Sequence, residues 1–346
     1  MAVILMDGFD LYANKADVIA AGWGSEHVSN IDFSTTLGRF GGGCLTSTGG
    51  SSGWVTGLDL VGGDTLHIAC SCYLNLTGGG ASDVLIQGKN VDNENIFRLD
   101  INASGDLKAI NAAGVQVGST SLAAFTDDSW HWLEIRVVIG TTDTNGTIEV
   151  RVNDVVKINV SSIDTFGLNS GGIGSLTFLG SSGDTRFDDI ILMDTTGTGM
   201  NGFLTDSKIT TLIPNGDGVT VNWAASAGLD YQCVDDGIGG SNDDTDYISS
   251  STVAQITELT MSNLPDNPST IHGVQMRHRS RKTDAGARTY RSFLKSGGST
   301  GNGTTMGVTI GYAWRFGGVV TRNPNGTILW SKAAINALIC GVEVVS

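Results

Sequence analysis

From Thr65 to Asp194, apolar and polar residues alternate with a period of two almost without a break. Successive side chains of a strand point to opposite faces, so this pattern predicts strands with one buried face. The runs TLHIACSCYLNL, DVLIQGK, NIFRLDIN, DLKAIN, GVQVGS, HWLEIRVVIG, TIEVRVN, VVKINV, SLTFLG and TRFDDIILMD each predict one strand. Turn residues punctuate them at Ser104-Gly105, Ala113-Gly114, Asn145-Gly146, Asn153-Asp154 and Gly183-Asp184. Evenly spaced strands with such turns predict an antiparallel sandwich or barrel.

Within DSWHWLEIRVVIG, residues 128–140, His131, Leu133, Ile135, Val137 and Ile139 share one face. Trp130, Trp132, Glu134 and Arg136 share the other. The next run sets Ile148, Val150 and Val152 against Glu149 and Arg151, so the two strands would pair with a common apolar face. His131 is then expected at the rim of the core with a hydrogen-bond partner. The preferred reading makes Trp130 and Trp132 structural cover for the outer face; the alternative makes them ligand contacts.

Beyond Phe203 the chain reads as a second β-rich stretch. SKITTLIPNGDGVTVNWAA predicts strand, Asn-Gly-Asp-Gly turn, strand. IHGVQMRHRSRKTDAGARTYRSFLKSGG predicts a long hairpin turning near Asp284-Ala285-Gly286, and a short helix over 331–339 feeds a C-terminal strand. The predicted class is therefore all-β: an antiparallel jelly-roll sandwich over residues 1–198, then a smaller β-rich domain with one short helix over 199–346.

Forty-nine glycines against four prolines, and 16% charged residues, agree with many short strands and few helices. The net charge of −15 is unevenly spread. Through Thr198 there are 9 bases and 23 acids, 9 − 23 = −14; thereafter 11 bases and 12 acids, 11 − 12 = −1. The acidic first part argues against nucleic-acid binding, which needs a basic face. Five cysteines without paired spacing predict reduced, mostly buried thiols. The start, MAVILMDGFD, lacks a basic region and has too short an apolar run for a signal peptide, so folding in a cytoplasm is expected. No run reaches the roughly 18 apolar residues of a membrane span, so no insertion is expected.

Candidate chemistry is sparse. Two GxSxG matches, at Gly49–Gly53 and Gly297–Gly301, lie in Gly/Ser/Thr loops with no helix after them, unlike a nucleophile elbow. The GxGxxG match at Gly197–Gly202 precedes strand-like sequence rather than a helix, and reads as a linker. Glu134 and Glu149, the nearest strand acids, each lie two residues from an arginine on their own face, which reads as surface pairing. The loop Asp235–Tyr247 gathers five aspartates; its spacing fits no EF-hand, and Asp244 and Asp246 are its candidate calcium ligands. The histidines show no metal spacing, and neither metal nor cofactor is expected. In RHRSRK, Arg277, Arg279 and Arg281 share a strand face without aromatic interleaving, and read as an exposed face or an interface with an acidic neighbour.

The hairpin DSWHWLEIRVVIG…NGTIEVRVNDVVKINV resembles the Trp-His strand and following hairpin of concanavalin A-like (laminin G-like) jelly rolls. DTRFDDIILMD resembles their closing strand and MDGFDLY…AAGW their opening one. One departure is Val155, where such turns often carry glycine. The Glu-x-Asp-x-x-Glu strand of concanavalin-like glucanases is absent. LIPNGDG, DDTDYISSST, KTDAGAR and AAINALICGVEVVS resemble a C-terminal module of tailed-phage virion proteins. Together these resemblances imply a non-enzymatic virion structural protein, tail-associated or capsid-decorating, whose partners are other virion proteins and copies of itself. The alternative is a lectin-like receptor binder for host surface glycans, with Trp23, Trp54, Trp130 or Trp132 stacking on sugars.

Overall fold

The computed structural model describes residues 3–26, 30–48, 52–77, 82–167, 172–180, 183–197, 199–236, 244–326 and 328–346. They form two compact units, Met1–Ile209 and Thr210–Ser346. Phe203 to Ile209 lie with the first unit, past the expected boundary after Thr198.

The first unit contains two antiparallel sheets. An eight-stranded sheet runs Val155–Ile163, Gly146–Val152, Ser129–Val138, Thr65–Leu74, Thr185–Met193, Cys44–Ser47 and Ile31–Ser34, with Val3–Asp7 also paired to Thr185–Met193. A seven-stranded sheet runs Gln116–Ser121, Leu107–Asn111, Asn95–Ile101, Asp83–Lys89, Gly172–Leu179, Gly53–Val61 and Gly24–Glu26. All ten strands expected between Thr65 and Asp194 are present. Their inward residues meet in one core: Leu66, Ile68, Leu133, Ile135, Ile148 and Val150 from the first sheet, Phe97, Leu99 and Leu176 from the second. Phe187 of one sheet lies edge-on to Phe178 of the other, with centroids 5.2 Å apart.

The Asn153-Asp154 turn explains the missing glycine. Both residues have positive φ, 50° and 65°, the combination of a two-residue type I′ hairpin. Asparagine and aspartate tolerate that region better than other non-glycine residues. Asn153 also reaches back to the neighbouring strand: its Oδ1 accepts from the Trp132 amide at 3.0 Å, and its Nδ2 faces His131 Nδ1 at 3.1 Å. His131 is buried at the core rim, edge-on to Phe125, with Nε2 3.1 Å from the Thr126 carbonyl. Burial lowers the His131 pKa.

At the opening, Asp7 is fully buried and accepts from the Phe9 amide, the Tyr12 hydroxyl at 2.9 Å and Trp23 Nε1 at 3.0 Å. A short helix, Lys15–Ala20, follows, capped by Asn14; the sequence pattern had not shown it. All five cysteines are free and buried. Burial pushes the thiols of Cys44 and Cys340 up to about 12.

The second unit is built on a five-stranded antiparallel sheet ordered Pro214–Val221, Ile256–Met261, Ile339–Val344, Thr289–Ser296 and Ser299–Gly307. Its helix spans Lys332–Asn336, with the Ser331 hydroxyl accepting from the Ala334 amide. Two local expectations need correction. Asn-Gly-Asp-Gly is not a turn but the middle of the Pro214–Val221 strand. Its glycines permit close approach: a Cβ on Gly218 would sit 2.5 Å from Glu258. The Arg277–Ser280 strand does not fold back on Thr289–Ser296. It pairs instead with Ala313–Phe316. The tight turn belongs to Gly297-Gly298, both at positive φ, between Thr289–Ser296 and Ser299–Gly307. Ser299 thus opens a strand, and no nucleophile elbow forms there. The other GxSxG match, at Gly49–Gly53, lies mainly outside the described residues.

Among the described residues, no helix is long and apolar enough to cross a membrane.

Candidate functional site

Chemistry-bearing side chains collect on the outer face of the eight-stranded sheet. Strand register decides which of them meet. Trp130 pairs opposite Tyr73, and Tyr73 opposite Arg186, so three strands set these side chains in a row. The Tyr73 and Trp130 rings are half-buried, with centroids 5.8 Å apart and planes at 55°. The Arg186 guanidinium lies 4.4 Å over the Tyr73 ring, and its Nε donates to Asp184 at 2.9 Å. The Tyr73 hydroxyl donates to Asp128 Oδ1 at 2.9 Å. Burial and this carboxylate raise the Tyr73 pKa, so the phenol stays neutral at physiological pH.

Two residues along the same strand, Trp132 is only 1% exposed. The structure therefore separates the two tryptophans. Trp130 is half-buried; Trp132 is packed away. Trp23 and Trp54, the other lectin candidates, are buried, and their indole N–H groups are spent on Asp7 and on the Thr46 carbonyl.

Next to this row the outer face becomes charged. A bulge in Thr185–Met193 between Asp188 and Ile191, with Asp189 at φ 50°, brings two consecutive carboxylates to one side. Asp188 accepts from the Arg39 amide at 2.9 Å; Asp189 accepts from Ser71 Oγ at 3.1 Å and from the Ile209 amide at 2.7 Å. Arg39 Nη1 donates to the same Ser71 hydroxyl at 3.1 Å. Burial first, and mutual repulsion for Asp188, raise both carboxyl pKa values, with Arg39 opposing the rise at Asp189. Glu134 is 2% exposed and is raised by burial; its Oε1 accepts from the Leu204 amide at 2.6 Å. His67 is 4% exposed, and burial, then Arg136, lower its pKa to about 4.

Residues 203–209 lie on this part of the face. Besides the Leu204 and Ile209 amides, Phe203 sits under the Arg151 guanidinium at 3.7 Å and edge-on to His67 at 5.6 Å. Asp206 is ion-paired to Arg39 at 2.7 Å. Trp130 was visible in the sequence. Tyr73, Arg186 and the covering segment were not, because only register and tertiary packing join them.

The sequence-derived arginines lie elsewhere, in the second unit. Arg277 stacks on Phe316 at 4.6 Å, and Arg279 and Arg281 lie 5.6 and 4.7 Å from Tyr312. Arg281 is also ion-paired to Asp244. The expectation of an arginine face without aromatics is thus corrected: the aromatics arrive from the partner strand and its approach. The contact with Asp244 also engages one of the two proposed calcium ligands, while residues 237–243 of that loop lie outside the described residues. Among the described residues, no group of three His, Cys, Asp or Glu could hold a metal ion.

No protein-family model matches the chain, and no curated protein matches it. Solved structures do. An endo-β-1,4-glucuronan lyase from the fungus Trichoderma reesei is 11% identical, covering 55% of this chain and 95% of its own, with a TM-score of 0.40. A protein of unknown function with a galectin-like fold from Bacillus subtilis is 7% identical, covering 56% and 96%, at 0.38. The first unit is an antiparallel jelly-roll β-sandwich by its own strand order. The carbohydrate recognition domain of Emp47p is 14% identical, covering 50% and 88%, at 0.33. At such identity the likeness concerns fold. It corrects the expectation that the chain is not an enzyme: polysaccharide lyases are among the sandwiches it is similar to.

Proposed function

We propose that the sandwich binds saccharide, with Tyr73, Trp130 and Arg186 as the platform. The observation that carries this reading is the half-exposed Tyr73–Trp130 ring pair, flanked by Arg186, Asp184 and Asp128. A sugar ring presents an apolar C–H face and a polar rim. Aromatic faces cover the first, and a few fixed polar groups orient the second. The resemblance of residues 202–346 to a virion module suggests the setting: a particle-borne receptor binder whose ligand is a host surface glycan.

The test is a panel of immobilised glycans followed by titration calorimetry on the full chain. Stacking on one ring contributes about 1 kcal/mol, so Trp130→Ala should weaken binding roughly fivefold with a small change in Tm. A Trp130→Ala variant that binds as well as the parent, or a parent that binds no saccharide, overturns the reading.

A further inference from the structure

The segment 203–209 is held to the sheet by two backbone amides on Glu134 and Asp189, by Asp206 and the Ser207 carbonyl on Arg39, by Phe203 beneath Arg151, and by the buried Leu204 side chain. These contacts leave the face incompletely satisfied. Glu134 Oε2, Trp132 Nε1 and His67 Nδ1 are buried and have no hydrogen-bond partner. The Trp132 indole favours the charged form of Glu134 without a well-aligned bond to it. A buried polar group without a partner costs about 1–3 kcal/mol, and native proteins keep few of them. Here three fall on adjacent strands of one face: His67 stands opposite Arg136, one position along from Glu134 on the same side, and Trp132 opposite Ser71.

That group of atoms is an acceptor, a donor, and an imidazole nitrogen that serves as either. Hydroxyl groups satisfy all three, since each donates one bond and accepts two. The segment meets the carboxylates only through N–H donors and offers nothing to the indole N–H. The face also continues the aromatic platform. Trp130 and Trp132 are alternate residues of one strand, about 7 Å apart along it, and Ser71 and Tyr73 stand opposite them.

We propose that residues 203–209 occupy the inner part of a longer saccharide-binding face, and that an oligosaccharide of several units displaces them. The ligand's first unit stacks on Tyr73 and Trp130, and its following units hydrogen-bond Trp132, Glu134 and His67 in place of the segment. This rests on the saccharide reading above. A neutral oligomer is the class that fits, because residues 1–198 carry a net −14 (9 − 23) that repels polyanions.

The test uses the full chain and linear glucose, mannose and galactose oligomers of one to six units, with uronic-acid oligomers as charged counterparts. Phe203→Ala removes the ring held by Arg151 and His67 and loosens the segment. It is expected to bind a neutral hexasaccharide about tenfold more tightly than the parent, while disaccharide binding stays the same. In the parent, hexasaccharide but not disaccharide should speed hydrogen exchange at the Leu204 and Ile209 amides. This second measurement stands even where Phe203→Ala fails to fold. Equal disaccharide binding with no hexasaccharide gain and no change in exchange overturns the displacement alone. Absence of binding by any oligomer overturns the saccharide reading and this inference together. Preference for the uronic-acid series overturns the neutral-ligand assignment.

Discussion

Asn153 performs two tasks in one position, and they can be measured apart. Its backbone sits at φ 50°, and its side chain bridges the Trp132 amide to His131. Asn153→Ala loses both and is expected to destabilise the first unit by about 2–4 kcal/mol. Asn153→Gly relieves the backbone but not the bridge, and should recover roughly 1 kcal/mol of that. Equal losses in denaturant titration would show that the turn conformation contributes nothing. Asp189 tests the charged face. Its Oδ1 accepts from Ile209 and its Oδ2 faces Ser71, a pattern that an asparagine amide also satisfies. Its pKa is raised, so the folded chain holds this proton more tightly than the unfolded chain does. The charged carboxylate therefore costs stability above its folded pKa, and that cost vanishes as pH falls below the ordinary value near 4. Asp189→Asn should raise Tm at pH 8, with the advantage shrinking toward pH 4. A lower Tm at every pH would mean that Arg39 stabilises the carboxylate more than burial opposes it.

At the level of strands, legibility followed locality. The ten strands from Thr65 to Asp194 were readable because alternation and turn residues are local properties. Pairing partners are not. The runs before and after KTDAGAR resemble a hairpin, yet Arg277–Ser280 pairs with Ala313–Phe316, where Phe316 and Tyr312 receive its arginines. Trp130 was legible as an outward aromatic, but its neighbours Tyr73 and Arg186 come from strands about 55 residues away on either side, and only register unites them. What joins Arg277–Ser280 to Thr289–Ser296 is a side chain. The buried Tyr290 hydroxyl contacts His278 Nε2 and lies 2.9 Å from Ser280 Oγ. Burial lowers the His278 pKa to about 4, and its Nδ1 has no partner. Tyr290→Phe leaves the imidazole bonded at neither nitrogen and should cost about 1–3 kcal/mol. Hydrogen-exchange mass spectrometry should place the loss in peptides over 271–296. Unchanged protection there would show that strand pairing alone holds the region.

For the molecule as a whole, two units with separate cores make a single unfolding free energy an inadequate description, so these comparisons belong to unit-resolved probes. The charge split, −14 (9 − 23) against −1 (11 − 12), gives each unit its own response to salt. The buried cysteines bear on how such probes are attached. Thiolate, not thiol, reacts with maleimide, and Cys44 and Cys340, pushed up to about 12, hold almost none at neutral pH. The five native cysteine thiols are all buried. A cysteine introduced at the exposed Val91 should therefore take one label per folded chain, while the parent takes none until denaturant is added. Labelling of the folded parent would reveal transient opening of a core. Without it, the native protein is already a clean background for site-directed fluorescence, and none of its own cysteines has to be removed.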